Sequence, residues 1–219
     1  MAKIGLVQPD TLRQRVEDAV RNAIMSGLYL PGERLVEREL CEDLGVSRAS
    51  LREAMRRLEA EKLVEIIPHK GPMVAVITAD EARQIYALRA VLEGYAAHEF
   101  ALIATENAIE EFAAAADALK DAALKNSRED VLQAKASLYD IMLGNCGNAL
   151  AQDVLKGLYS RINLLRATSL LDPSRLPKSL AEIAELTQAF RERDAGRAQD
   201  VASMHVKNAC EVALRNLDE

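Results

Sequence analysis

A chain of 219 residues with 49% hydrophobic and 28% charged residues has the composition of an ordinary soluble folded protein, long enough for one large domain or two small ones. No apolar run approaches the roughly 20 residues that span a bilayer, residues 1–10 lack the apolar core of a secretory signal, and Cys41, Cys146 and Cys210 form no CxxC pair; a reduced, cytoplasmic protein is expected, not a membrane protein, disulfide scaffold or zinc ribbon. The net charge of −6 is uneven: residues 1–78 carry 12 Lys+Arg and 12 Asp+Glu, the remainder 16 and 22.

In chain order, Leu12, Val16, Ala19, Val20, Ala23, Ile24 and Leu28 recur at helical spacing, predicting an amphipathic helix over about 10–28 that ends at Gly27 and Pro31-Gly32. A short helix over 37–44 follows, then Gly45, where a sharp turn calls for left-handed backbone. Ser47 is a good N-cap for a helix over about 48–61, and Val46 with Leu51 form a hydrophobic staple. From Leu63 the residues turn β-branched: Val64 to Ile66 and Met73 to Ile77 flank Pro68-His69-Lys70-Gly71-Pro72, which predicts a two-stranded hairpin with a basic tip. Thr78-Ala79-Asp80-Glu81 reads as a capping box and a domain boundary. Helices are then predicted over 79–103, 106–125, 128–144, 148–170, 174–193 and 197–217. Thr105 and Ser127 serve as N-caps, Gly144 to Gly147 as a loop, and Asp172-Pro173 as cap plus first helical position.

Helix, glycine turn, helix and hairpin is the layout of a winged helix-turn-helix, whose second helix reads the major groove with its N-terminal residues. Arg48, Arg52 and Arg56, at four-residue steps, form one stripe along that helix, and Leu51, Ala54, Met55 and Leu58 form the face opposite. A guanidinium suits guanine O6/N7 or a bidentate phosphate contact. A solvated charged face is the plain alternative to the stripe. The cap, staple, glycine turn and basic hairpin around it favour DNA.

The segment ERELCEDLGVSRASLREAMRRLEAEKLVEIIPHKGPMVA, residues 37–75, resembles the DNA-binding domain of the GntR superfamily of regulators. The resemblance implies operator contacts by Arg38, Arg48 and Arg52, and a minor-groove approach by the wing at Gly71. Ser47, Ser50, Arg56, His69 and Lys70 complete the candidate DNA surface. Val36 departs from the family, where Ser or Thr often caps; Glu37 and Glu39 compensate in part through the helix dipole. The helical remainder resembles the C-terminal domain of the FadR/FCD subgroup, through Leu88 to Glu93, Gly147-Asn148, Ala189 with Arg193-Asp194-Ala195, and Met204-His205.

Many members of that subgroup hold a divalent metal with one Asp and three His. Aligned on Gly147-Asn148 and Arg193-Asp194, those positions fall on Lys135, Tyr139, Ile183 and His205, and one ligand in four makes no metal site. No metal or cofactor is expected. The vacated positions, with Arg89, make a candidate anion site: an ammonium, a phenol, an imidazole and a guanidinium replace a metal's charge. Against this, Lys135 points to solvent, Tyr139 and His205 fill the core, and Arg89 with Glu93 is a helix-surface pair. Arg161 and Arg166 line the pocket or face solvent, while His69 and His98 have no ligand-spaced partner.

The expectation is a mostly α protein: a winged helix-turn-helix with a small β-hairpin over 1–78, then an all-helical effector and dimerisation bundle over 79–219. No catalytic constellation stands out, so an enzyme is not expected. Expected partners are a short palindromic double-stranded operator, a second copy of the chain and a small effector such as a carboxylate or sugar acid. A ligand-free dimerisation bundle is the alternative.

Overall fold

The computed structural model describes residues 12–125, 127–158, 161–165 and 174–217, with backbone alone at 128 and 129. The predicted cap Asp172-Pro173 and Arg166 lie outside the described residues. The chain divides into two compact units, Met1–Val76 and Ile77–Glu219.

In the first unit, α1 (Leu12–Met25) turns Val16, Val20 and Ile24 inward. Leu12 and Leu28, counted at helical spacing, are instead exposed, and the helix gives way to a turn at Ser26. Helices α2 (Glu37–Leu44) and α3 (Arg48–Ala60) are joined at Gly45, whose φ of 64° and ψ of 35° place it in the left-handed region that a glycine enters without steric cost. Val36 makes no side-chain cap bond, so the first turn of α2 relies on Glu37 and Glu39. At the end of α3, Lys62 takes φ 59°. Its N–H bonds to Glu59 O at 2.9 Å and the N–H of Leu63 to Leu58 O at 2.9 Å, a Schellman closure built on a lysine, with both leucines fully buried.

Strands β1 (Val64–Ile67) and β2 (Gly71–Val74) pair antiparallel, with Val64 opposite Val74 and Ile67 opposite Gly71. The free edge of β2 is not bare: Gly32 and Leu35 donate to Val74 O and Pro72 O, and Val74 donates to Glu33 O, each at 2.9 Å. Residues 32–35, which lack any strand-like alternation, thereby cover one edge of the hairpin and bury Leu35 completely.

In the second unit, α4 (Ala79–Ile103) runs against α9 (Ala195–Leu217), with α5 (Glu106–Leu124), α6 (Arg128–Gly144), α7 (Ala149–Gly157) and α8 (Arg175–Arg191) around them. Helices α4 and α9 approach closely at Gly94, where an added Cβ would meet Ser203 Oγ. All three phenylalanines of the chain, Phe100, Phe112 and Phe190, meet at centroid distances of 4.5 to 6.0 Å and join α4, α5 and α8. Thr105, Ser127 and Asn148 cap their helices by accepting from the N–H three residues on. Thr78 does the same for Glu81, but the capping box is only half made, because the Glu81 carboxylate accepts from Arg161 at 2.7 Å. The single helix expected over 148–170 does not form: Leu158 closes α7 by bonding back to Leu155 O at 3.0 Å, and residues 161–165 are again helical.

One dipeptide ties three helix ends together. Arg193, at φ 57°, closes α8 in a second Schellman arrangement, its N–H bonded to Phe190 O and that of Asp194 to Ala189 O. The Arg193 guanidinium crosses to the C-terminus of α4 and donates to Ala101 O and Ala104 O. Asp194 accepts from the N–H of Arg197 at 3.0 Å and so starts α9. Among the described residues no helix is long and apolar enough to cross a membrane.

Candidate nucleic-acid interface and effector pocket

The start of α3 is fixed by Ser47, whose Oγ accepts from the Ser50 N–H at 3.2 Å and lies 3.1 Å from Ser50 Oγ. From there Arg48, Arg52 and Arg56 point into solvent. Leu51, Ala54, Met55 and Leu58 are sealed on the other side, so packing against the core fixes the rotation of the stripe. Arg48 and Arg56 are exposed cations. Arg52 is already engaged: its Nε and Nη2 each reach the Glu37 carboxylate at 3.0 Å. Glu37, assigned from sequence only to the helix dipole, is therefore part of this surface. Arg38 is exposed on α2 and lies 3.5 Å from Glu42. At the hairpin tip His69 and Lys70 are exposed, and His69 and Gly71 take φ of 64° and 88°.

In the second unit the four candidate effector residues are all buried: Arg89 1%, Lys135 5%, Tyr139 9% and His205 7% exposed. Lys135 therefore does not point to solvent. Nor are Arg89 and Glu93 a surface pair. Arg89 Nε donates to Glu93 Oε1 at 2.8 Å inside the bundle, and its guanidinium sits 5.0 Å from the Tyr86 ring centre. Burial opposes the Arg89 charge, but Glu93, Tyr139 and Tyr86 outweigh it and push its pKa up. Tyr139 and His205 line one internal cavity with Glu93, Glu182, Ile183 and Phe112. Its volume is about 20 Å³, room for about one water.

Three residues of this cluster, Glu182, Arg175 and Asn208, were not foreseen. Glu182 Oε2 lies 2.5 Å from His205 Nδ1 and accepts from Arg175 Nη2 at 2.8 Å, while Oε1 accepts from Asn208 at 2.7 Å. Burial works against the Glu182 charge, but the bonds from His205, Asn208 and Arg175 prevail and hold its pKa at about 2. Burial is also the largest influence on His205 and, with Lys135 and Arg175 nearby, lowers it to about 4 despite Glu182. His205 is thus a neutral imidazole at pH 7 that donates from Nδ1. Arg175 Nη2, 3.3 Å from that nitrogen, contacts it as a neighbour and donates instead to His205 O at 3.1 Å.

Arg161 neither lines this cavity nor faces solvent freely, being half-buried against Glu81. His98 Nδ1 lies 3.0 Å from Glu99 Oε1. Buried without a hydrogen-bond partner among the described residues are Arg89 Nη1, Arg175 Nε and Nη1, and Ser179 Oγ.

Three of the subgroup's metal positions, Tyr139, Ile183 and His205, do converge on the cavity. The donors do not fit a divalent cation: Ile183 has none, Lys135 brings an ammonium, and the guanidinium of Arg175 stands beside His205. Among the described residues no group of three His, Cys, Asp or Glu is placed to hold a metal.

The two units match known families separately. Residues 12–74 match the family of bacterial regulatory proteins, gntR family, and residues 84–208 match the FCD domain. A transcriptional regulator from the TAR-I ttuE-ttuC' intergenic region of Agrobacterium vitis is 39% identical over 85 residues, 39% of this chain and 50% of that protein, so the match spans half of that relative. The transcriptional repressor RspR of Escherichia coli K12 is 22% identical over 200 residues, 91% of this chain and 88% of its own. The solved structure of McbR/YncC from E. coli superposes with a TM-score of 0.81 at 18% identity, covering 94% of this chain and 99% of the other, which is a likeness of fold.

Proposed function

The chain belongs to the gntR family of bacterial regulatory proteins with an FCD domain, and from that premise we propose that it is a homodimeric repressor whose hold on a palindromic operator is set by a small anionic metabolite. Arg48 and Arg52 read base edges, Arg56 and Arg38 grip phosphate, and His69, Lys70 and Gly71 bring the wing to the neighbouring groove. Ser47 and Ser50 fix the helix start, with Ser50 near enough to touch phosphate. The E. coli relative RspR is a transcriptional repressor, which supports the direction of control.

The observation that carries the effector reading is the set of buried N–H groups on Arg89 and Arg175 that have no hydrogen-bond partner among the described residues. A buried donor left without a partner costs about 1–3 kcal/mol. A carboxylate or the acid group of a sugar acid would satisfy these donors, with Lys135, Tyr139 and His205 supplying further charge and hydrogen bonds. A cavity of about 20 Å³ does not admit such a molecule as it stands, so binding must part the helices. Linkage then requires the parted state to differ in DNA affinity. A ligand-free dimerisation bundle would leave the same donors unexplained.

The test has two stages. An operator is first selected from random duplexes, then carboxylates and sugar acids are screened by thermal shift and hits are titrated against the operator complex. A hit that stabilises the protein and weakens operator binding is expected. Selection that returns no preferred sequence would overturn the DNA reading; a full screen without a single stabilising acid would favour the ligand-free bundle.

A further inference from the structure

The cavity at His205 and a surface groove share one wall. The groove, of about 210 Å³, lies between α5 and α8 and is lined by Ala113, Ala116, Lys120, Leu180, Ala184 and Thr187. Ile183 lines it too, and Ile183 also lines the internal cavity. Its neighbours sort to the two sides: Phe112 and Glu182 line the cavity, Ala113 and Ala184 the groove. The buried Ile183 side chain therefore stands between a space of about 20 Å³ and one of about 210 Å³ that opens to solvent.

Helices α5 and α8 run antiparallel and are fastened at one end. Arg191, the last residue of α8, donates to Glu110 from Nη2 at 3.1 Å and from Nε at 3.2 Å, and the Phe112 and Phe190 rings meet edge-on at 4.9 Å. Toward the other end the groove is walled by alanines and Leu180, with Asp117 and Lys120 exposed on its rim. Alanine side chains bury little area, so parting the helices there gives up little burial. The first half of α8 is tied to α9 instead, where Arg175 donates to His205 O and Glu182 accepts from Asn208. Thr187 stands where the two halves meet. Its Oγ1 donates to Ile183 O at 2.8 Å, a back-bond that weakens and bends a helix at that turn.

We propose that Ile183 is the gate of the effector cavity: the acid enters by the α5–α8 groove, the two helices part about the Phe112–Phe190 contact, and the displaced isoleucine joins groove and cavity into one site. The acid group then reaches the polar cluster at His205. The body of the molecule stays in the groove, within reach of the Thr187 hydroxyl and the Lys120 ammonium. The bulk at position 183 thereby selects among acids by size. The route deepens the effector reading and rests on it for the class of ligand, but not for the way in.

A thiol inside the cavity tests the route on the full-length protein. Ala202→Cys puts one on the α9 wall, in the tryptic peptide 198–207, which holds no native cysteine. Iodoacetate, itself a small carboxylate, is the probe, and the rate of carboxymethylation at 202 is followed by peptide mass spectrometry. In that background Ile183→Ala should speed the reaction by about 10-fold or more, and Leu138→Ala, which hollows the α6 wall of the same cavity, by less than about threefold. Ala184→Phe, at an exposed position of the groove, should fill the mouth and slow the reaction by about fivefold with an unchanged urea midpoint. Leu138→Ala as effective as Ile183→Ala means entry by general loosening, and an Ala184→Phe rate equal to its parent's means another path. Either result overturns the gate. If Ile183→Ala does not fold, the Ala184→Phe rate decides alone. An acid screen without a hit counts against the effector reading and leaves these rates as they are.

Discussion

Glu37 and Arg52 hold each other in a side-on fork across the turn between α2 and α3, Nε to Oε1 at 3.0 Å and Nη2 to Oε2 at 3.0 Å. The base-reading candidate thus meets DNA as a neutralised pair. Glu37→Gln removes a negative charge from the surface and frees the guanidinium, so binding to all duplexes should tighten while the ratio of operator to random sequence falls. Fluorescence anisotropy on both duplexes measures this; weaker operator binding would mean that Glu37 positions Arg52. Arg48→Ala and Arg52→Ala should each cost about 1–3 kcal/mol of operator affinity, and Arg56→Ala should lower the salt slope by about one. Undiminished specific binding by both of the first two variants would sink the assignment.

Lys62 closes α3 in the left-handed region at φ 59°, where a side chain costs about 1–2 kcal/mol relative to glycine. Part of that returns as the extra freedom of glycine in the unfolded chain. Lys62→Gly should therefore stabilise the N-terminal unit by about 0.5–1 kcal/mol, read as a rise in the urea midpoint. A loss of stability would show that the lysine side chain matters more than its backbone.

The His205 pKa of about 4 in the fold compares with an ordinary 6.5. Between these values the unfolded chain binds a proton that the folded one refuses, so stability rises with pH across this window. The contribution is complete above about pH 6.5 and lost as pH falls through 4, about 3 kcal/mol in all. Glu182, held at about 2 against 4.5, adds a second loss at lower pH. In His205→Gln the fall between pH 6.5 and 4 should flatten while the acid limb remains. An unchanged profile by chemical denaturation would remove His205 from the account.

Protein purified without chelator should contain well below one transition metal per chain by elemental analysis. The combined change Lys135→Asp, Tyr139→His, Ile183→His and Arg175→Gln, with the native His205, should bring that figure close to one, because these ligand positions meet at a single cavity or one turn from it and the guanidinium beside His205 is gone. Stoichiometric metal in the wild type would show that the helices are wrongly aligned.

Local spacing carried much of the fold. The caps at Ser47, Thr105 and Ser127, the turn at Gly45 and the β1–β2 hairpin each involve residues within a few positions of one another, where side-chain chemistry and backbone preference coincide. Contacts between distant segments were not legible. Residues 32–35 join β2 through backbone atoms, which leave no mark in the side chains. Glu37 meets Arg52, and Glu182 meets His205 and Arg175, only after whole helices have packed. Arg89 and Glu93 were visible as a pair, but a four-residue step is the same on a surface and in a core.

Position 193 answers to two incompatible selections. The backbone there asks for glycine, since its φ is 57°, whereas the C-terminus of α4 asks for a long cation to reach Ala101 O and Ala104 O. No residue type meets both demands, so arginine is a compromise whose backbone strain is the cost of a distant helix end. In a saturation library this site should tolerate almost nothing, with lysine and glycine each recovering one of the two functions. Evolutionary drift at 193 would then require a prior change at the end of α4, which makes the order of substitutions, and not merely their identity, the constraint.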